Sequence, residues 1–252
     1  MRVVIGVLAA FTTTAAAQSA PGVLSARKTS AVLTVETDAS ANAFGDVSSL
    51  APDLAVGVTD DLTLTLIHSQ FSRTGFRGAA GTGLCMTDAC ASAYDNVGLE
   101  AIYSLRRGAF AVAADAGFHA WSIDRDHYVA KVGGKLRYGV GRLVLASHPS
   151  VTLAVTERDT NKDRLWLPVT GMVTVVPGLS LGGATGLKGP IATLDEGYEI
   201  AVGALATYAP SPTVTVGASW IHGKLFGGEM ALPGDMQGRD SRVINVWVAA
   251  TR

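Results

Sequence analysis

Residues 128–140 read Tyr128-Val129-Ala130-Lys131-Val132-Gly133-Gly134-Lys135-Leu136-Arg137-Tyr138-Gly139-Val140. Taken alternately, they separate into two sets. One holds Tyr128, Ala130, Val132, Gly134, Leu136, Tyr138 and Val140; the other holds Val129, Lys131, Gly133, Lys135, Arg137 and Gly139. A period of two predicts a β-strand, because successive Cβ atoms point to opposite faces of the pleat. The two tyrosines lie ten residues apart on the apolar face. At ~3.3 Å per residue and a tilt near ~40°, that is about 25 Å of height, the depth of a lipid-facing band with an aromatic anchor at each rim.

A second stretch repeats the pattern. Tyr198 to Tyr208 carries Tyr198, Ile200, Val202, Ala204, Ala206 and Tyr208 on one face and Glu199, Ala201, Gly203, Leu205 and Thr207 on the other. Tyr128, Tyr138, Tyr198 and Tyr208 are therefore the expected aromatic girdle.

Composition points the same way. Of 252 residues 48% are hydrophobic and only 16% charged, and the net charge is −1. The charged fraction is below the quarter or so of an ordinary soluble domain. No run of eighteen apolar residues exists, so a spanning helix is excluded. A lipid face spread over many alternating strands reconciles the two facts. The near-neutral charge offers nothing to a nucleic acid.

The first seventeen residues have the form of a secretory signal: Arg2, an apolar core from Val3 to Phe11, and Ala15-Ala16-Ala17 at the cleavage point. The expected mature domain is 18–252, a single barrel. Cys85 and Cys90 flank Met86-Thr87-Asp88-Ala89 in a polar loop. In an oxidising compartment that spacing suits a small disulfide better than a metal site, since no histidine lies nearby in sequence.

Strands are expected at 30–37, 52–58, 62–68, 94–105, 109–121, 128–145, 151–156, 165–176, 179–187, 198–208, 213–222 and 243–250. Short turns at 59–61, 106–108, 147–150, 177–178 and 209–212 alternate with connections that are mostly longer. That rhythm predicts an all-β fold, an up-and-down antiparallel transmembrane β-barrel of about twelve strands. Pro168 falls inside one strand and calls for a bulge or an end position there.

The hairpin Gly57-Val58-Thr59-Asp60-Asp61-Leu62-Thr63-Leu64 resembles the periplasmic hairpins of bacterial outer-membrane β-barrel proteins of the porin-like kind. The resemblance spans about fifteen residues. It implies a Gram-negative outer-membrane location, lipid as the surroundings, and passage of small solutes. The chain departs from that pattern by ending in Arg252 rather than an aromatic residue.

Glu100, Asp115, His119, Lys131, Lys135, Arg137 and Glu199 all fall opposite apolar faces and are expected to line the lumen. Charges of both signs fit a narrow, weakly selective pore, or a salt-bridged filling. No catalytic, metal or cofactor motif stands out. Ser69 beside His68, and Ser219 near His222, are the only pieces of a rim-located lipid hydrolase. Asp159 to Asp163 lacks the glycine and glutamate of a calcium loop. The expected function is a passive, non-enzymatic channel. The alternatives are a surface or structural barrel acting through its loops and a secreted β-sandwich binding module.

Overall fold

The structure, a computed structural model, describes residues 20–40, 44–69, 83–90, 92–228 and 242–252. The signal-like segment 1–17 lies outside these.

Twelve strands form the wall: β1 Thr29–Asp38, β2 Ser48–Gly57, β3 Leu62–Ile67, β4 Val97–Arg106, β5 Phe110–Ser122, β6 His127–Val140, β7 in two segments (Leu143–Ser147 and Ser150–Ala154), β8 Arg164–Val176, β9 Leu179–Pro190, β10 Glu199–Ser211, β11 Val214–Gly227 and β12 Arg242–Thr251. Each pairs antiparallel with the next in sequence. β1 pairs with β2 on one edge (Ser30 opposite Ala55) and with β12 on the other (Ser30 opposite Thr251), so the sheet closes. Closure excludes the two-sheet sandwich. A single helical turn, Leu194–Gly197, interrupts one connection.

Alternation does the sorting. Along β1, Ser30, Val32, Thr34 and Glu36 are buried inside while Ala31, Leu33 and Val35 face out. The outer surface carries exposed aliphatic side chains such as Leu54, Leu99, Val132 and Val173. Tyr138 and Tyr208, 46% and 49% exposed, stand outside near the short-turn end. Tyr128, its ring centroid 6.0 Å from Phe118, and Tyr198 sit toward the opposite end.

One turn differs from expectation. The chain reverses at Gly141-Arg142, not at Ser147–Ser150. Gly141 has φ +57°, the left-handed first position that a two-residue hairpin requires. Residues 147–150 instead lie within β7. Gly133 opposite Ser150 and Leu136 opposite Ser147 share one register, so the chain continues through with its ladder interrupted at His148-Pro149. Pro168 meets the same interruption. β8 pairs with β7 at Trp166 and again at Val169, skipping Leu167 and Pro168. Neither a bulge nor a strand end is used: two residues without a backbone N–H share one gap. The Ser147 hydroxyl donates to the Pro168 carbonyl, 2.7 Å.

A second gap opens where β3 ends. The Asp53 carboxylate accepts from His68 N (2.8 Å), Ser69 N (2.9 Å) and Ser69 Oγ (2.5 Å), so the chain leaves the wall with these donors satisfied. Farther along, Leu84 and Cys85 pair with Leu50 and Ser49, and Leu84 bridges to Tyr94. Cys85 and Cys90 are disulfide-bonded. The stapled loop is thus a patch that continues the ladder above a short strand.

Inside, bulky side chains lie flat. Gly98 faces His119, Gly182 faces Met172, Gly203 faces Ile221 and Gly217 faces Trp247 across adjacent strands. A Cβ at these glycines would stand 2.0 to 2.4 Å from those side chains. Each glycine is therefore a shelf that keeps a large neighbour against the wall.

Two outcomes follow from this packing. Cys85→Ser/Cys90→Ser is expected to cost about 2 kcal/mol of barrel stability and to open 84–94 to protease, read from urea midpoints and limited proteolysis. An unchanged midpoint would show the patch holds without the bond. Gly217→Ala is expected to destabilise by about 1–3 kcal/mol through overpacking, and Gly217→Ala/Trp247→Gly to recover most of it.

Candidate functional site: the barrel interior

Register fixes which charges meet inside. Glu100 on β4, Asp115 and His119 on β5, Lys131 and Lys135 on β6, and His148 on β7 all have inward parity on neighbouring strands. Lys131 Nζ donates to Glu100 Oε1 and lies 3.2 Å from Asp115 Oδ2. His119 Nε2 is 3.0 Å from Glu100 Oε1, and His148 Nε2 is 2.9 Å from Asp115 Oδ2. Lys135 Nζ stands 3.9 Å from Glu100 Oε2.

These groups are not free in a water-filled bore. Glu100 is 1% exposed, Asp115 3% and Lys131 6%. Buried charges persist only when paired and hydrogen-bonded, and here a lysine sits between two carboxylates, each of which also bonds a histidine. The Lys135 side chain, 18% exposed, is the most open member.

Of the seven residues expected in the lumen, all face inward, but only five assemble here. Arg137 lies nearer the short-turn end, where Nη2 donates to the Gly108 carbonyl at 3.3 Å. Glu199 belongs to another wall, paired with Lys188 at 2.7 Å and Lys224 at 3.8 Å. Lys188 Nζ also stands 6.0 Å from the Trp166 ring centroid, and Trp166 meets Trp121 edge-on at 6.0 Å.

The sequence reading missed His148 and Lys188 because it placed both in connections. For His148 the signal was present. Moving the reversal to Gly141 puts 144, 146 and 148 on the inward parity of β7.

The two serine–histidine pairs do not assemble. Ser219 faces inward and accepts from Asn245 Nδ2 at 3.2 Å, while His222 has outward parity with its ring against Trp220. Ser69 donates to Asp53, and the His68 ring bonds the Pro52 carbonyl. In the loop after β7, the Asp163 carboxylate accepts from Ala154 N (2.8 Å) and pairs with Arg158 (3.0 Å). Among the described residues no group of three or more His, Cys, Asp or Glu side chains is placed to hold a metal.

No protein-family model matches the chain, and no curated protein matches it in sequence. Solved structures do match in fold. The chain is similar to the KdgM porin at 11% identity and TM-score 0.56, covering 88% of this chain and 98% of that one. A second KdgM structure is a complex with disordered oligogalacturonate. The NanC porin matches at 8% identity and TM-score 0.58, covering 87% and 98%. The COG4313 outer membrane channel from Pseudomonas putida F1 matches at 13% identity and TM-score 0.52, covering 96% and 100%. At these identities the likeness is one of architecture: the chain is a closed twelve-strand antiparallel barrel whose fold is similar to that of these outer-membrane porins and channels.

Proposed function

We propose that this chain is an outer-membrane barrel through which small solutes diffuse passively, exported by its first seventeen residues and surrounded by outer-membrane lipid. The observation that carries the reading is the division of surface by parity, with exposed aliphatic side chains outside and ionised ones inside a closed wall. A twelve-strand barrel is wider than the eight-strand kind that its own side chains fill, so its bore has room for solutes. The likeness to a porin in complex with oligogalacturonate supports a small solute as passenger. The separation of both serine–histidine pairs favours a channel over a lipid hydrolase.

Glu100, Asp115, His119, Lys131 and Lys135 are read as one side of the pore wall, Arg137 as its lower rim and Glu199 as the facing side. Their mutual pairing makes the lining weakly selective. A barrel that acts only through its long loops is the second reading, favoured by the burial of the Glu100–Lys131–Asp115 network.

Conductance of the refolded chain in a planar bilayer decides between the two. The channel reading expects unit currents, and expects Lys135→Gln, which removes the most open cation of the network, to shift the reversal potential toward cation preference. A heat-modifiable, inserted protein that passes no current supports the loop reading instead. Lys131→Met leaves two buried carboxylates facing each other and is expected to cost about 3–5 kcal/mol. Glu100→Gln/Asp115→Asn/Lys131→Met should regain most of that, measured by urea unfolding.

A further inference from the structure

The wall is complete without the residues before it. Thr29 and Arg252 exchange backbone hydrogen bonds of 3.0 and 2.9 Å where β1 meets β12, and Arg27 and Lys28 add two bonds to Gly57. Residues 20–26 take no part in that ladder; Ser25 and Ala26 are exposed at its outer end, yet Ala20, Val23 and Leu24 are among the most buried residues described. Ala20 is 0% exposed, and Val23 and Leu24 are each 2% exposed. Ala20 and Val23 pack with Ile102 and Ala113, both inward residues of the lower wall. Of the inward residues of β4, namely Gly98, Glu100, Ile102 and Ser104, only Ile102 is aliphatic, and it lies where this segment rests.

The segment runs inside the barrel at the short-turn end. Leu24 N donates to Thr63 Oγ1 at 2.7 Å, and Ala26 N donates to Asp60 Oδ1 at 3.0 Å, from the β2–β3 hairpin. Gly57 makes room for the passage, since a Cβ there would stand 2.1 Å from the Ser25 carbonyl oxygen. At Gly22, whose φ is +79°, a Cβ would stand 3.0 Å from Lys135 Cδ and 3.2 Å from Ile102 Cδ1. The backbone at Gly22 therefore lies on the lysine stem whose ammonium reaches toward Glu100.

We propose that residues 20–26 are a plug that narrows the pore at the short-turn end, covers the Glu100–Lys131–Asp115 network, and opens the channel by withdrawing. This rests on the channel reading above and adds the regulation of that pore. With the plug seated, Lys135 is held beneath Gly22 and the network is sealed from water. With the plug withdrawn, the same side chains face the bore. The segment is held by aliphatic contacts and by side-chain acceptors at its far end, rather than by a strand ladder, so it can leave while the wall stays closed.

The test compares chains beginning at Gln18 and at Ser25, each also carrying Ala113→Cys, whose thiol is modified by a bulky water-soluble maleimide; Cys85 and Cys90 are already paired. Folding is checked by heat-modifiable migration. The shorter chain is expected to show several-fold larger unit conductance and several-fold faster thiol modification. Equal, non-zero currents overturn the plug whatever the thiol shows. Currents absent from both chains refute the channel reading; faster thiol modification in the shorter chain then sustains the covering segment, and equal rates overturn it as well. If the shorter chain fails to fold, Val23→Cys/Ala113→Cys in the longer chain replaces it, with Val23→Cys alone as control. The plug expects current to rise on reduction in the cross-linked variant beyond any rise in the control, and an identical response overturns it.

Discussion

Hydrocarbon offers no hydrogen bonds to a backbone, and that constraint governs this chain. Every N–H and C=O of a membrane-spanning strand must find its partner in a neighbouring strand, so the sheet has to meet itself. Once it meets itself, each residue is assigned to lipid or to lumen by parity alone. The chain's economy of charge follows from this. An ionisable side chain on the outer parity of β4, β5 or β6 would stand in lipid, so Glu100, Asp115, Lys131 and Lys135 are confined to the other face. Where the ladder is broken, other groups stand in: the Asp53 carboxylate at the end of β3, and paired gaps at Pro149 and Pro168.

The same parity creates a second problem inside, because acids and bases crowded on adjacent strands lose water as the bore fills. The solution is reciprocal neutralisation. Lys131 lies between two carboxylates, and each carboxylate has its own histidine. Beside three of the large uncharged inward side chains, the neighbouring strand supplies glycine. Met172, Ile221 and Trp247 each lie across one, which keeps hydrophobic bulk from projecting into the bore. Polar pairing on one side and glycine shelves on the other serve one end, a wall whose inner surface stays close to the backbone.

Much of this was legible in the sequence, because alternation over ten or more residues is a strong local signal. The inward parity of the charged candidates could be read from Tyr128–Val140 and its counterparts, and the cysteine pairing from the spacing of Cys85 and Cys90 in their loop. Other features depend on information that alternation does not carry. The reversal at Gly141-Arg142 was hidden because Val140 and Val144 sustain an apolar rhythm on either side of two turn residues, while His148-Pro149 looks like a turn and is not one. The proline reading assumed an ordinary ladder, whereas two strands share the missing donors. Which charges touch is set by register between strands, so the sequence could list Arg137 and Glu199 with the others without separating them. The lumenal path of residues 20–26 left no periodic trace, since it is neither strand nor helix.

The seam between β1 and β12 has a further meaning for how the molecule is made. Apart from the short patch at Leu84-Cys85, every other strand contact described in the wall joins neighbours in sequence, so hairpins can zip as the chain is supplied. Ser30 opposite Thr251 is the exception and spans nearly the whole polypeptide. The entropy of joining chain ends grows only slowly with the length between them, yet the joint cannot form before its last strand exists. Until then β1 and β12 are raw edges open to pairing with any other chain. The span of the molecule's life that most needs an escort is therefore the interval between the appearance of Thr29 and the arrival of Thr251.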